Sequence, residues 1–267
     1  MRTHPRPVVF IHGLWLHADS WENWIVLFRE HGYDSIAPSW PGVAPTVDEA
    51  RRRAREAGGV GIEDVVRHYA GLMRVLPEMP IVIGHSFGGL VAQILLGRSL
   101  AAAAVAIDAA PVHGVFVLPW SALRIVSKAL LNPLHWSLPV ALTEREFRYG
   151  FGNAVSAEES AYLYDRFAIP STGRPLFQAA FASLNPWAES TVETGNPTRG
   201  PLLLVAGERD RTVPPAITRA TFARYNRPPA LTDLIEMRGR GHSLTIDSGW
   251  REVAATTLGW LHENFRS

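Results

Sequence analysis

Cysteine is absent from the 267 residues, which excludes disulfide bridges and thiolate metal sites and leaves the redox compartment open. An excess of either charge is missing too. Twenty-six lysines and arginines against 25 acids leave a net charge of +1, so no global field draws nucleic acid or an anionic membrane. Lysine itself is nearly absent: Lys128 stands alone among the arginines, a coding bias rather than chemistry. No apolar run is long enough to cross a bilayer, since the weakly charged stretch from Ser99 to Leu123 is broken by Asp108, Pro111, Gly114 and Pro119. The segment Met1 to Pro7 runs at once into an apolar strand and leaves no room for a secretory leader. A cytoplasmic location is expected, with a small molecule as partner and neither nucleic acid nor membrane; self-association stays open. Repeats and low-complexity linkers are missing as well.

What is present is an alternation. Apolar strand-like runs near 7–11, 34–38, from Pro80, at 103–108, 201–206 and 231–237 are separated by helical patterns near 20–31, 46–57, 62–76, 87–99 and 215–225, with a last helix from about 249. That is the rhythm of a parallel sheet covered by helices. With 47% hydrophobic residues, the chain can bury one sizeable core. The run Arg51-Arg52-Arg53-Ala54-Arg55 lies among Asp48, Glu49 and Glu56 and reads as a solvated helix face rather than a nucleic-acid site.

Three strand ends carry chemistry. The run Ile81 to Gly89 delivers Ser86 between Gly84 and Gly88 on a strand-to-helix turn so sharp that side chains on either glycine would collide across it. The Gly-x-Ser-x-Gly pattern alone arises by chance in roughly one chain in ten of this length. Its context is what speaks. A strand ending in Gly207-Glu208-Arg209-Asp210 offers Asp210 as an acid, with Glu208 and Asp108 as rivals, and a strand running into Gly241-His242 offers the histidine. Serine, acid, histidine in that chain order suits a nucleophile, an orienting carboxylate and a general base. The first strand ends in His12-Gly13-Leu14-Trp15; the backbone amides of Leu14 and Phe87 are candidate donors to a developing oxyanion. His12 itself reads as a residue that holds the loop.

Taken together, Gly84-His85-Ser86-Phe87-Gly88-Gly89, the His12-Gly13 turn, Gly207 through Asp210 to Val213-Pro214, and Gly241-His242 resemble the α/β-hydrolase family along essentially the whole chain. The resemblance implies an α/β fold with a mostly parallel central β-sheet flanked by helices, the triad Ser86, Asp210 and His242, and an oxyanion hole from Leu14 and Phe87. It implies neither metal nor organic cofactor. A serine nucleophile argues against epoxide or halide hydrolysis, and Leu14-Trp15 in place of a glycine run argues against esters of bulky tertiary alcohols.

Between Pro111 and Asn196 the alternation stops. Helices are expected from Trp120 to Leu131, from Thr143 to Tyr149, and after a capping box at Ser156-Ala157-Glu158-Glu159. The division is therefore a core of residues 1–110 and 197–267 and a helical cap over 111–196. Trp15, His113, Phe116, Trp120, Trp136 and Trp187 are candidate walls of an apolar pocket. The expected activity is hydrolysis of a small-to-medium, largely apolar carboxylic ester through an acyl-enzyme. The same triad serves lactones, thioesters, amides, acyl transfer, carbon–carbon cleavage next to a carbonyl and cofactor-free perhydrolysis. A ligand-binding receptor with a slow triad is the alternative of another class.

Overall fold

A computed structural model describes residues 6–117, 119–225 and 230–265. Met1 to Pro5, the beginning of the segment read as leaving no room for a leader, lie outside the described residues. The chain opens with β1 (Pro7–Ile11), α1 (Glu22–Glu30), β2 (Asp34–Ile36), α2 (Val47–Arg52), α3 (Ile62–Met73), β3 (Ile81–His85), α4 (Phe87–Gly97) and β4 (Ala103–Ile107). An insertion follows, with α5 (Trp120–Leu130), β5 (Pro139–Val140), α6 (Glu144–Gly150), α7 (Ala157–Phe167), β6 (Ser171–Thr172) and α8 (Arg174–Ala180). The main alternation then resumes with β7 (Leu202–Gly207), α9 (Pro215–Phe222), β8 (Thr232–Met237) and α10 (Trp250–Asn264).

Six strands form one sheet in the order β2-β1-β3-β4-β7-β8, and every pairing in it is parallel. Side chains alternate between its faces, and both faces are covered. Val9, Ile11, Val82, Ala104, Ala106 and Leu204 join the core beneath α3 and α4. Val8, Phe10, Ile83, Val105, Leu203 and Val205 point the other way, against Trp24 and Phe28 of α1 and Val253 and Leu261 of α10. Because the strands run the same way, their carboxyl ends share one edge, and order reverses between β1 and β3, where a crevice opens in such sheets. Ser86 lies at that point.

Among the described residues the insertion adds no strand to the main sheet. Its β5 and β6 pair with each other, antiparallel. It nevertheless shares the core on one side of the sheet, since Phe147, Phe151, Leu163 and Phe167 are buried in the same cluster as Val9 and Val82. Two helical stretches are shorter than the sequence pattern suggests. The one at 46–57 breaks at Arg53 into α2 and a single 3-10 turn, and α3 stops at Met73, four residues short of Pro77, whose ring disfavours helix in the residue before it.

Candidate active site

Ser86 occupies the turn between β3 and α4 with φ 56° and ψ −121°, a backbone conformation that costs a non-glycine residue on the order of 1–3 kcal/mol. The surroundings enforce it. The Ser86 amide donates to Ile107 O at 2.9 Å, and its carbonyl accepts from Gly89 and Ala110. A Cβ at Gly84 would run into the carbonyl of Gly88, and one at Gly88 into that of Ile11, so the approach of helix to strand requires both glycines.

His242 is fully buried in the loop after β8. Its Nδ1 lies 2.6 Å from Asp210 Oδ2, and Asp210 Oδ1 accepts the amides of Thr212 at 2.7 Å and Val213 at 2.9 Å. A carboxylate so placed fixes the tautomer with the proton on Nδ1 and leaves Nε2 as the basic nitrogen. Nε2 is buried and has no hydrogen-bond partner among the described residues. The ring packs edge-on against Phe151 and 4.6 Å from the ring of His85. His85 Nε2 in turn bonds the carbonyl of His242 at 2.9 Å, which ties the histidine loop to the residue before Ser86. Burial, then the neighbouring His242, pushes the His85 pKa well below its usual value, so His85 is a neutral spacer.

Leu14 and Phe87 are buried, and neither amide donates to another described residue. The Gly13 turn is pressed on the nucleophile: a Cβ built there would lie 2.7 Å from Ser86 Cβ. The turn is held from the insertion, because Trp15 N donates to Ser171 Oγ at 2.7 Å and Trp15 O accepts from Ile169 at 3.0 Å. His12 braces it from within, with Nδ1 2.9 Å from Gly13 O and Nε2 accepting the Trp40 amide at 3.1 Å. Burial lowers its pKa to about 4, so this histidine is a neutral strut.

Residues 8–256 match the alpha/beta hydrolase family. The chain belongs to that family. No curated protein sequence matches this alpha/beta hydrolase, but solved structures share its fold over nearly their whole length. A monoacylglycerol lipase from Paleococcus ferrophilus is 21% identical, with 97% of this chain and 96% of that one covered and a TM-score of 0.69. A methylesterase from Arabidopsis is 15% identical over 97% and 99% at a TM-score of 0.66. A pyrethroid hydrolase from Sphingobium faniae is 18% identical over 96% and 97% at 0.64.

In this alpha/beta hydrolase, Ser86 opens into a chamber of about 100 Å³ walled by Trp15, Phe87, Val117, Val126, Leu176, Val213 and Ile217 among others. An outer pocket of about 190 Å³, with His113 and Phe116 in its wall, shares Pro111, Val117, Val126, Ala179 and Ala180 with it. The two are therefore neighbours across α5 and α8. Trp15, His113 and Phe116 thus stand where a pocket was expected. Three other tryptophans do not, and that expectation is corrected. Trp120 is 86% exposed on the side of α5 away from buried Ala122, Ile125 and Ala129. Trp136 is half exposed and packs on Phe177 and under the Arg174 guanidinium. Trp187, 85% exposed, borders a separate surface pocket beside Glu63 and Arg98. The amphipathic period of α5 could have flagged Trp120, since it falls on the stripe with Arg124 and Lys128. Sequence reasoning missed Leu176, Ala179, Ala180, Ile217 and Ser171, small or apolar residues with no chemical signature that reach the site only through folding.

Among rival acids, Glu208 bonds the Gly239 amide at 2.7 Å and is exposed. Asp108 is fully buried with Oδ2 3.8 Å from His242 Nδ1, farther than Asp210.

Proposed function

We propose that this alpha/beta hydrolase is a serine hydrolase that cleaves an uncharged, largely apolar carboxylic ester of small to medium size, in the cytoplasm and without a cofactor. The observation that carries the reading is the chamber at Ser86, whose wall, among the described residues, has no charged side chain and no polar one except Ser86 and Thr212. An inner volume of about 100 Å³ holds about three waters' worth of matter, which suits a short acyl group, and the outer pocket suits the remainder of the ester. The names of the fold neighbours, a lipase and a methylesterase, agree with ester chemistry. No described helix is long and apolar enough to cross a membrane.

In this reading Ser86 Oγ attacks the ester carbonyl while its proton passes to His242 Nε2. Negative charge grows on the carbonyl oxygen opposite the Leu14 and Phe87 amides, each worth about 3 kcal/mol in the transition state. Asp210 stabilises the imidazolium, which gives its proton to the departing alkoxide, and water then repeats the sequence on the acyl-enzyme. The test is hydrolysis of p-nitrophenyl esters of increasing acyl length by wild type and Ser86→Ala, both shown to be folded. The expected result is turnover that peaks at short or medium acyl groups and falls by about 10⁴-fold or more in the variant. Equal turnover by the variant overturns the nucleophile. Absence of turnover and of fluorophosphonate labelling would favour a binding protein instead.

A further inference from the structure

Asp108 directly follows β4 with φ 43°, a conformation uncommon outside glycine that aspartate tolerates better than most residues, and it has no exposure to solvent. Oδ1 accepts the Gly207 amide at 2.6 Å. Oδ2 has no donor among the described residues and lies 3.8 Å from His242 Nδ1, the nitrogen that Asp210 Oδ2 meets at 2.6 Å. The two carboxyls are served unequally. Asp210 accepts two amides and the His242 N–H, whereas Asp108 has one amide. Two adjacent buried carboxyls cannot both hold a negative charge, so one proton is shared out to the group with fewer donors. Burial, followed by the charge of Asp210, accordingly raises the Asp108 pKa well above the usual carboxyl value. The other titratable groups around this cluster do not supply a competing cation: His85 is neutral, and Asp247, ion-paired with Arg240, adds negative charge.

We propose that Asp108 is a positioning residue: its carboxyl keeps its proton, donates it in a hydrogen bond to Asp210, and becomes the acceptor for His242 Nδ1–H when Asp210 is removed. This rests on the triad reading above. In the first state the Asp108 O–H adds a fourth donor to the Asp210 carboxylate and holds it toward His242. In the second, Asp108 loses its proton to water, and the imidazole needs to move by only the difference between 2.6 and 3.8 Å to find a carboxylate again.

The experiment compares Asp108→Asn, Asp108→Leu, Asp210→Asn and the double variant Asp108→Asn/Asp210→Asn, each shown to be folded by thermal melting. Two readouts are used: the pH profile of kcat/KM on a p-nitrophenyl ester, and the downfield proton resonance of the His242 Nδ1–H. Asparagine keeps a donor and adds no charge. Asp108→Asn is therefore expected to lose about tenfold or less with the acid limb of its profile in place, while Asp108→Leu, without a donor, loses at least about tenfold more. In the Asp210→Asn background the same Asp108→Asn change should cost at least about 100-fold and remove the resonance, because no carboxylate is left. Equal losses in both backgrounds would reduce Asp108 to a packing residue. An acid limb displaced downward by about one pH unit in Asp108→Asn would show that wild-type Asp108 is ionised and overturn the proposal. If wild type hydrolyses no ester, the ester reading fails, and the resonance still decides the Asp108 question: its survival in the double variant would refute it.

Discussion

Asp210 and Glu208 sit two positions apart in one turn, yet only Asp210 is turned inward by the amides of Thr212 and Val213. Their substitution should therefore separate cleanly. Asp210→Asn is expected to keep the fold and lower kcat by about 10³- to 10⁴-fold, the upper figure being that of an amide that imposes the wrong imidazole tautomer; the reserve carboxylate at Asp108 sets the lower one. Glu208→Gln, exposed and bonded to Gly239, should stay within about twofold, in keeping with surface substitutions generally. Steady-state kinetics on one ester check both, and a large effect of Glu208→Gln would move the acid. At this scale the sequence showed which residues end strands, and hence Ser86, Asp210 and His242. It could not show that Asp108 turns toward the same imidazole, because that depends on a positive φ which nothing in Ile107-Asp108-Ala109 announces. Nor could it show which tryptophans of the insertion face inward, since their side chains are settled by packing against helices distant in sequence.

At the scale of elements, buried parallel strands were the most legible parts, for a continuous run such as Val8-Val9-Phe10-Ile11 has few other uses. Helix ends were less so. The run at 46–57 breaks at Arg53, with φ −104° and ψ 21°; the like charges of Arg51 and Arg55, one turn apart in a continuous helix, would have opposed it by only about 0.2–0.5 kcal/mol. Arg51 instead donates to the carbonyls of Tyr164, Asp165 and Ala168 at the end of α7, where a cation complements the helix dipole. The capping box expected at Ser156 is only half made, and a full one stands at Thr143, where the sequence pattern gave a helix without a cap. Thr143 and Glu146 form the full reciprocal box at α6, while at α7 Ser156 caps the Glu159 amide and the Glu159 carboxylate bonds Ser248. The turn after β1 is the element on which a catalytic consequence depends. Alanine at Gly13 would place a methyl 2.7 Å from Ser86 Cβ and 2.9 Å from His85 O, so turn and nucleophile must part by several tenths of an ångström. Gly13→Ala should lower kcat by about tenfold or more, less than the 100-fold or so that a misplacement of about 1 Å costs, with a smaller relative change in KM. Fluorophosphonate labelling that keeps its wild-type rate would refute this.

For the whole molecule, the insertion and the sheet are fused rather than hinged by contact alone: Phe147 and Phe151 share a core with β1 and β3, and β6 holds the Trp15 turn. Loss of the native packing around that turn should then be global, and acid is the condition that provokes it. His12 is buried as a neutral ring whose pKa falls from 6.5 to about 4 through burial. The sign follows from proton counts. Below pH 6.5 the unfolded chain binds a proton at His12 that the folded chain refuses until about pH 4, so stability falls as pH drops through that window. His85 acts in the same sense. His17 and Asp108 have raised pKa values and oppose it, because the folded state holds their protons longer. A difference between wild type and a His12 variant isolates one contribution from these others. His12→Asn keeps a donor at the δ position toward Gly13 and does not titrate, and its loss of the Trp40 contact is the same at both pH values; on going from pH 7.5 to 5 wild type should lose about 2 kcal/mol more than the variant does. Urea unfolding at the two pH values measures it. Parallel losses in the two proteins would mean that the buried ring of His12 already carries its proton at pH 5 and has given up the hydrogen bond its Nε2 accepts from Trp40.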